Sequence, residues 1–155
     1  MYYRVAAIMK ERQSTQFNIH RMEDLGRQTF VKYGVVDSSA AKDFFRNSLQ
    51  YTGMWSTMAE DPETGFVRTT AEGVRRMLAS TDDRPWAFIS DLAILIHEDM
   101  QRNDLTIASS EHFTYFALAL PIGSPYLDRF NLALLQMSEL GEIHRLRVKW
   151  WHRPE

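Results

Sequence analysis

The sequence contains no cysteine, so disulfide bonds and thiolate metal sites are excluded. Its five histidines never fall into a metal-binding spacing such as His-Glu-x-x-His. It also lacks a Gly-x-Ser-x-Gly elbow and a glycine-rich phosphate loop, which are typical of hydrolases and nucleotide-binding enzymes. These absences argue against an enzyme, and we expect neither a metal nor a cofactor.

Charge of either sign is nearly balanced, with 18 Lys and Arg against 20 Asp and Glu, which gives a formal net charge of −2. No strongly basic patch is therefore expected for nucleic acid or a membrane surface. No apolar run approaches the roughly 20 residues that a spanning helix needs. A signal peptide is not apparent, because the short apolar run Val5–Met9 is followed at once by the charged residues Lys10–Arg12.

What the sequence does contain is an alternation of short apolar runs with helical patterns. The predicted strands are Phe30–Val36, Phe66–Arg68, Trp86–Ile89, Leu105–Ile107 and Phe113–Leu120. The predicted helices are Ala40–Leu49, Tyr51–Met58, Thr69–Ser80 and Leu92–Gln101, and Ser109–His112 is predicted as a loop. Tyr2–Arg12 is interpreted as either an amphipathic helix or a frayed tail. The alternation predicts an α/β fold around a mixed or parallel sheet.

The C-terminal third has the clearest local pattern. Pro121–Tyr126 predicts a turn, in which Ser124 caps a helix that places Pro125 at its first position. Gly141 is expected to end that helix, and Glu142–Trp151 to form a second one. The apolar residues of the first helix, Phe130, Leu134, Met137 and Leu140, recur at three- and four-residue steps and predict one apolar face.

This order of motifs resembles the second ligand-binding segment of ionotropic glutamate receptors. There, a Pro-x-Gly-Ser-Pro-Tyr turn, a helix, an acidic-Gly turn and a Lys-Trp-Trp ending follow one another, as in 121–151 here. Further matching strings are Tyr33-Gly34, Phe44-Phe45, Met54-Trp55, Phe66–Gly73 and Trp86–Asp91. The resemblance covers about residues 22 to 151. It implies one lobe of a periplasmic-binding-protein type II clamshell, with C-terminal helices that would pack on a missing lobe 1.

The resemblance also implies a division of the chain and a function. Residues 1–16 correspond to a remnant of the linker between a pore helix and the binding domain, 17–120 to ligand-binding lobe 2, and 121–155 to a returning lobe-1 segment. The implied function is ligand sensing in a ligand-gated cation channel, where closure of two lobes on an amino acid pulls on the linker near residues 5–16. The implied setting is a tetramer at the extracellular face of the plasma membrane, although this chain has no transmembrane segment of its own.

Two site residues follow from the resemblance and also have a simpler interpretation. Asp91 stands where the family has the acidic residue that pairs with the α-ammonium group of the ligand. Thr70 stands where a threonine bridges the closed lobes. Each residue also lies at the start of a predicted helix and could cap it. The two roles are compatible, and we favour the ligand role for Asp91.

Three further positions, Ser39, Ala40 and Ala41, lie at a helix start where backbone amides favour an anion. Glutamate-binding members of the family usually place a threonine here, and Ala41 lacks its hydroxyl, although Ser39 could reach inward. The missing hydrogen bond is worth roughly 1.5–3 kcal/mol. With Asp91 rather than Glu, and Phe116 rather than the usual Tyr, the pattern resembles the glycine- or D-serine-binding class. We therefore expect a small α-amino acid, either glutamate or a glycine-like ligand.

Three alternatives stay open at this point. A divergent chemosensory ionotropic receptor would tolerate the loss of a ligand-binding residue such as the one replaced by Ala41. A soluble solute-binding protein of the periplasmic type would share the clamshell, but it would be complete in one chain. A truncated receptor fragment would leave the apolar face around Leu134 and Met137 exposed, and such a chain should bind dye or self-associate.

Overall fold

A computed structural model describes residues 2–99, 104–115 and 117–151, with side chains over 5–97, 104–108 and 117–150. Its contacts divide the chain into two compact units, Met1–Thr114 (unit 1) and Tyr115–Glu155 (unit 2). The division predicted from the sequence, after residues 16 and 120, differs from this one and stays a prediction.

Strands and helices alternate along unit 1. The strands are β1 (Tyr2–Lys10), β2 (Lys32–Val36), β3 (Phe66–Val67), β4 (Trp86–Asp91) and β5 (Leu105–Tyr115). The helices are α1 (Glu11–Gln16), α2 (Met22–Arg27), α3 (Ala40–Asn47), α4 (Thr52–Glu60), α5 (Pro62–Gly65), α6 (Thr70–Ala79) and α7 (Leu92–Asp99). Unit 2 contains α8 (Leu127–Glu139) and α9 (Glu142–Trp151).

The strands form one five-stranded sheet in the order β3-β2-β4-β1-β5. β2 pairs in parallel with both β3 and β4, whereas β1 runs antiparallel to β4. The sheet is therefore mixed, and the predicted α/β class is confirmed.

β1 is the largest departure from the sequence-based expectation. The prediction of a helix or a frayed tail for Tyr2–Arg12 is wrong, because Tyr2–Lys10 form a strand inside the sheet and α1 follows directly. The side chains of residues 5–9 are all buried. A strand that is covered on both faces shows no alternation of polar and apolar residues, so periodicity alone cannot distinguish it from a buried helix.

Apolar side chains pack on both faces of the sheet. On β1, Val5 and Ala7 belong to one buried cluster, whereas Ala6 and Ile8 belong to another. Successive residues of a strand point to opposite faces, so the two clusters lie on opposite sides of the sheet. The first cluster contains residues of α2, α3 and α4, and the second contains residues of α6 and α7.

Two boundaries near the C-terminus differ from the prediction. β5 continues through Ser109–His112, where a loop was predicted. In unit 2, α8 begins at Leu127 rather than at Pro125, and the hydroxyl of Ser124 accepts a hydrogen bond from the Tyr126 amide at 3.4 Å. Gly141 adopts a φ of 73° just after α8, as expected for the residue that ends a helix.

Within the described ranges, no helix combines the length and the apolar character that crossing a bilayer requires.

Candidate functional site

Three helices begin just after the carboxyl ends of the parallel strands: α3 after β2, α6 after β3, and α7 after β4. The carboxyl ends of parallel strands share one edge of a sheet. Ligands bind at that edge where the connections from two adjacent strands lead to opposite sides of the sheet. Because β2 lies between β3 and β4, the chain passes to one side of β2 and then returns to the other. The topology therefore points to the edge beside β2.

A pocket of about 210 Å³ lies at this edge. Its lining residues are Val36, Ser39, Ala40, Ala41, Thr70, Ser90, Asp91 and Ile94. The structure thus brings four of the five predicted ligand-binding residues, Ser39, Ala40, Ala41 and Asp91, to one pocket. Thr70, which was predicted to bridge the lobes, lines the same pocket. The fifth predicted ligand-binding residue, Phe116, lies outside the described residues.

Asp91 is the last residue of β4 and carries the only formal charge among the described lining residues. Its Oδ1 accepts a hydrogen bond from the Ala93 amide at 2.8 Å, as a residue that caps α7 would. Burial raises the pKa of Asp91, and the bond from Ala93 offsets this only in part. A half-buried carboxylate that meets no positive side chain among the described lining residues is suited to bind a cation.

The start of α3 forms another wall of the pocket. The Ser39 hydroxyl donates to the Val36 carbonyl at 2.7 Å and accepts from the Lys42 amide at 3.3 Å. The Ser39 hydroxyl thus caps α3 in this structure, and its contact with a ligand stays a prediction. The amides of Ala40 and Ala41 lie in the first helical turn, where amides have no partner within the helix.

The cation in the first turn of α3 is Lys42, which does not line the pocket. Its Nζ lies 2.5 Å from Oδ1 of Asp37 and 4.6 Å from the centre of the Phe66 ring. Any anion at the start of α3 would therefore be held by backbone amides rather than by a cationic side chain of the pocket.

Two neighbouring threonines at the start of α6 have different roles. Thr69 is the cap of α6, because its Oγ1 accepts a hydrogen bond from the Glu72 amide at 3.2 Å. The Glu72 carboxylate in turn accepts one from the Arg68 amide at 3.0 Å. The interpretation of Thr70 as a cap is therefore wrong. Thr70 is the first residue of the helix and lines the pocket.

Sequence reasoning missed three lining residues: Val36, Ser90 and Ile94. Val36 ends β2, and Ser90 is the second-last residue of β4, so the rule that ligands bind at the carboxyl ends of parallel strands could have found both. Ile94 lies three residues after Asp91, at a spacing that places helical residues on one face.

The described lining residues include two hydroxyl groups besides Ser39, but no histidine, lysine or second carboxylate. Over the part of the chain that the structure describes, no group of three or more histidines and carboxylates could hold a metal ion. The pocket is suited to bind a small polar molecule through one carboxylate and a helix start.

The fold places this site in a known class of structure. A Drosophila muscle glutamate receptor, GluRIIB, solved in complex with glutamate, matches with a TM-score of 0.80 over 99% of this chain and 60% of that one. Its sequence is 22% identical, so this match shows the fold. The chain has the lobe architecture of a glutamate receptor ligand-binding domain of the periplasmic-binding-protein type.

Sequence comparison identifies the family. The chain is 32% identical over 136 residues to human glutamate receptor ionotropic, kainate 1, and 33% identical over 136 residues to mouse glutamate receptor 3. These alignments cover 86% of this chain, but only 14% and 15% of those receptors. No protein-family model matches the chain. The chain is a homologue of the ligand-binding segment of ionotropic glutamate receptors, and the predicted family is confirmed.

Proposed function

We propose that unit 1 is the second lobe of an amino-acid-binding clamshell, and that Asp91 accepts the α-ammonium group of the ligand. The observation that carries the proposal is that Asp91 and the first turn of α3 line one pocket, whose described lining residues include no cationic side chain. A zwitterion fits both features, because its ammonium group pairs with Asp91 and its negative charge faces the amides of Ala40 and Ala41. Thr70, at the start of α6, would contact the ligand or the opposite lobe on closure.

The wider context that we propose is a ligand-gated cation channel subunit. The chain spans about one seventh of the length of the receptors that it resembles. In this proposal, a first lobe and a pore lie outside these 155 residues. The ligand-binding domain would then lie at the extracellular surface, in a tetrameric assembly. The apolar residues exposed on α8, which include Phe130, Leu134 and Met137, would pack on lobe 1.

We favour a glycine- or D-serine-like ligand over glutamate. Half of the lining residues are apolar: Val36, Ala40, Ala41 and Ile94. A second carboxylate on the ligand would find no cationic side chain among the lining residues that the structure describes, and a desolvated charge without a partner is costly. The chemosensory alternative is supported by the same apolar lining, and it would be favoured if neither glycine nor glutamate binds.

The test is an NMR titration of the whole 155-residue chain with glycine and, separately, with glutamate. We expect the amide signals of Ala41, Ser90 and Ala93 to shift, with glycine acting at lower concentration than glutamate. Asp91→Asn should abolish the shifts. Asp83→Asn removes the same charge from an exposed loop and should leave them unchanged. Equal shifts in Asp91→Asn and wild type would overturn the role of Asp91, and much tighter glutamate binding would overturn the ligand preference.

A further inference from the structure

The N-terminal strand lies directly beside the pocket. In the antiparallel register of β1 with β4, Val5 lies opposite Asp91, and Ala6 lies opposite Ser90. Both residues on the β4 side line the pocket, whereas neither residue on the β1 side does. The pocket residues of β4 are therefore paired with the segment 1–16, which was predicted from the sequence to be a linker outside the lobe.

Val5 and Asp91 also share a face of the sheet. The alternation along β4 places Asp91 on the same side as Ile89, which belongs to the buried cluster that contains Val5 and Ala41. Directly opposed residues in an antiparallel pair have Cβ atoms about 4.5–5.5 Å apart. Val5 is only 2% exposed. Its branched apolar side chain therefore lies on the face of the sheet that also carries the Asp91 side chain.

Among the described lining residues, the elements around Asp91 add no further charge: α3 contributes Ser39, α6 contributes Thr70, and α7 contributes Ile94, while Val36 lies at the end of β2. The raised pKa of Asp91 has burial as its largest cause, in keeping with an apolar neighbour.

We propose that Val5 is a positioning residue for Asp91: it fixes the carboxylate beside the pocket and shields it from water without touching the ligand. The segment 2–10 is thereby a working part of the site as well as of the sheet. The consequence for binding rests on the proposed function of Asp91. The relationship between Val5 and Asp91 is testable without any ligand.

The experiment measures the pKa of Asp91 in the full chain from the NMR chemical shift of its side-chain carboxyl carbon as the pH is lowered. Asp91→Asn identifies the signal, because that variant lacks it. Val5→Thr keeps the β-branched shape and introduces a polar atom beside the carboxylate. Val5→Ala removes two methyl groups. We expect both variants to lower the pKa of Asp91 towards that of an exposed aspartate. Ile8→Val, which trims a fully buried residue on the opposite face of β1, is the matched control and should leave it unchanged.

A pKa of Asp91 that is the same in Val5→Thr and in wild type would overturn the proposal, and so would an equal shift in Ile8→Val, since β1 would then act only through general stability. If Val5→Ala does not fold, Val5→Thr alone decides the question. The same samples are then titrated with glycine. If the pKa shifts as expected but glycine and glutamate bind to no variant and not to wild type, the positioning role stands and the proposed ligand function fails.

Discussion

A Cβ atom placed on Gly73 of α6 would lie 2.2 Å from Cε2 of Phe88 on β4. Two non-bonded carbon atoms cannot lie so close together. A residue with a side chain at position 73 would therefore prevent α6 from approaching the sheet as closely as it does here. Because α6 begins at Thr70, this close approach also helps to determine the position of Thr70 in the pocket wall.

Gly73→Ala should destabilise unit 1 by about 1–3 kcal/mol, because the added methyl group forces α6 or the Phe88 ring to move. Urea unfolding followed by circular dichroism measures the change. Gly53→Ala is the control, since a Cβ at Gly53 meets nothing within 4 Å, and helix propensity predicts a gain of up to about 1 kcal/mol. Equal stability of Gly73→Ala and wild type would contradict the close packing described above.

Asp91→Asn should raise stability near neutral pH and lose ligand binding. The folded-state pKa of Asp91 lies above its unfolded value, so the folded chain holds more protons as the pH rises through that interval. Stability must therefore fall with rising pH there, and the charged carboxylate is a cost that remains at neutral pH. The amide oxygen of Asn can still accept the bond from Ala93.

Thermal unfolding of wild type and Asp91→Asn at several pH values measures this effect. The two curves should converge in acid, where Asp91 is neutral in both the folded and the unfolded state. A variant that is less stable than wild type at neutral pH would show that the hydrogen bond from Ala93 outweighs the cost of burial.

Ser39→Ala should lower the free energy of unfolding by about 0.5–2 kcal/mol. The substitution removes the hydroxyl that accepts a hydrogen bond from the Lys42 amide and donates one to the Val36 carbonyl. Ser39→Thr keeps the hydroxyl and should cost much less. Denaturant titration of both variants gives the comparison. If the two substitutions prove equally costly, the hydroxyl is not what stabilises the start of α3.

The exposed apolar residues of α8 should make the chain bind a hydrophobic dye or self-associate. Leu134 and Met137 are 36% and 38% exposed, and they lie three residues apart on that helix. The double variant Leu134→Gln/Met137→Gln should reduce dye fluorescence and shift the chain towards monomer in sedimentation. Leu49→Gln, at an isolated residue that is 95% exposed, should do neither. A wild-type chain that is monomeric and dye-free would contradict the expectation.

The elements that could be predicted from the sequence are those with local signals. α3 and α6 have caps at Ser39 and Thr69, and β4 has an apolar run that ends at a capping aspartate. β1 could not be recognised, because its burial depends on helices that are distant in sequence. The length of β5 was missed for another reason: Ser109–His112 is polar, and local composition favoured a loop.

The candidate site was anticipated where a position matched a motif, as for Asp91 and Ala41. It was incomplete where a residue contributes only by its place in the sheet, as for Val36 and Ser90. The spacing of Thr69 and Glu72 fits a capping box and indicates Thr69 as the cap of α6, whereas the place of Thr70 in the pocket wall required the geometry.

The pairing of β1 with β4 also determines the order in which the lobe can form. Val5 and Asp91 lie near opposite ends of the unit 1 sequence, so their contact closes one of its longest loops. Long-range pairings are entropically expensive and slow to form. During synthesis, β1 leaves the ribosome before β4 and cannot pair with it until β4 has followed. The carboxylate in the pocket therefore acquires its apolar neighbour late in folding, when β1 docks on β4.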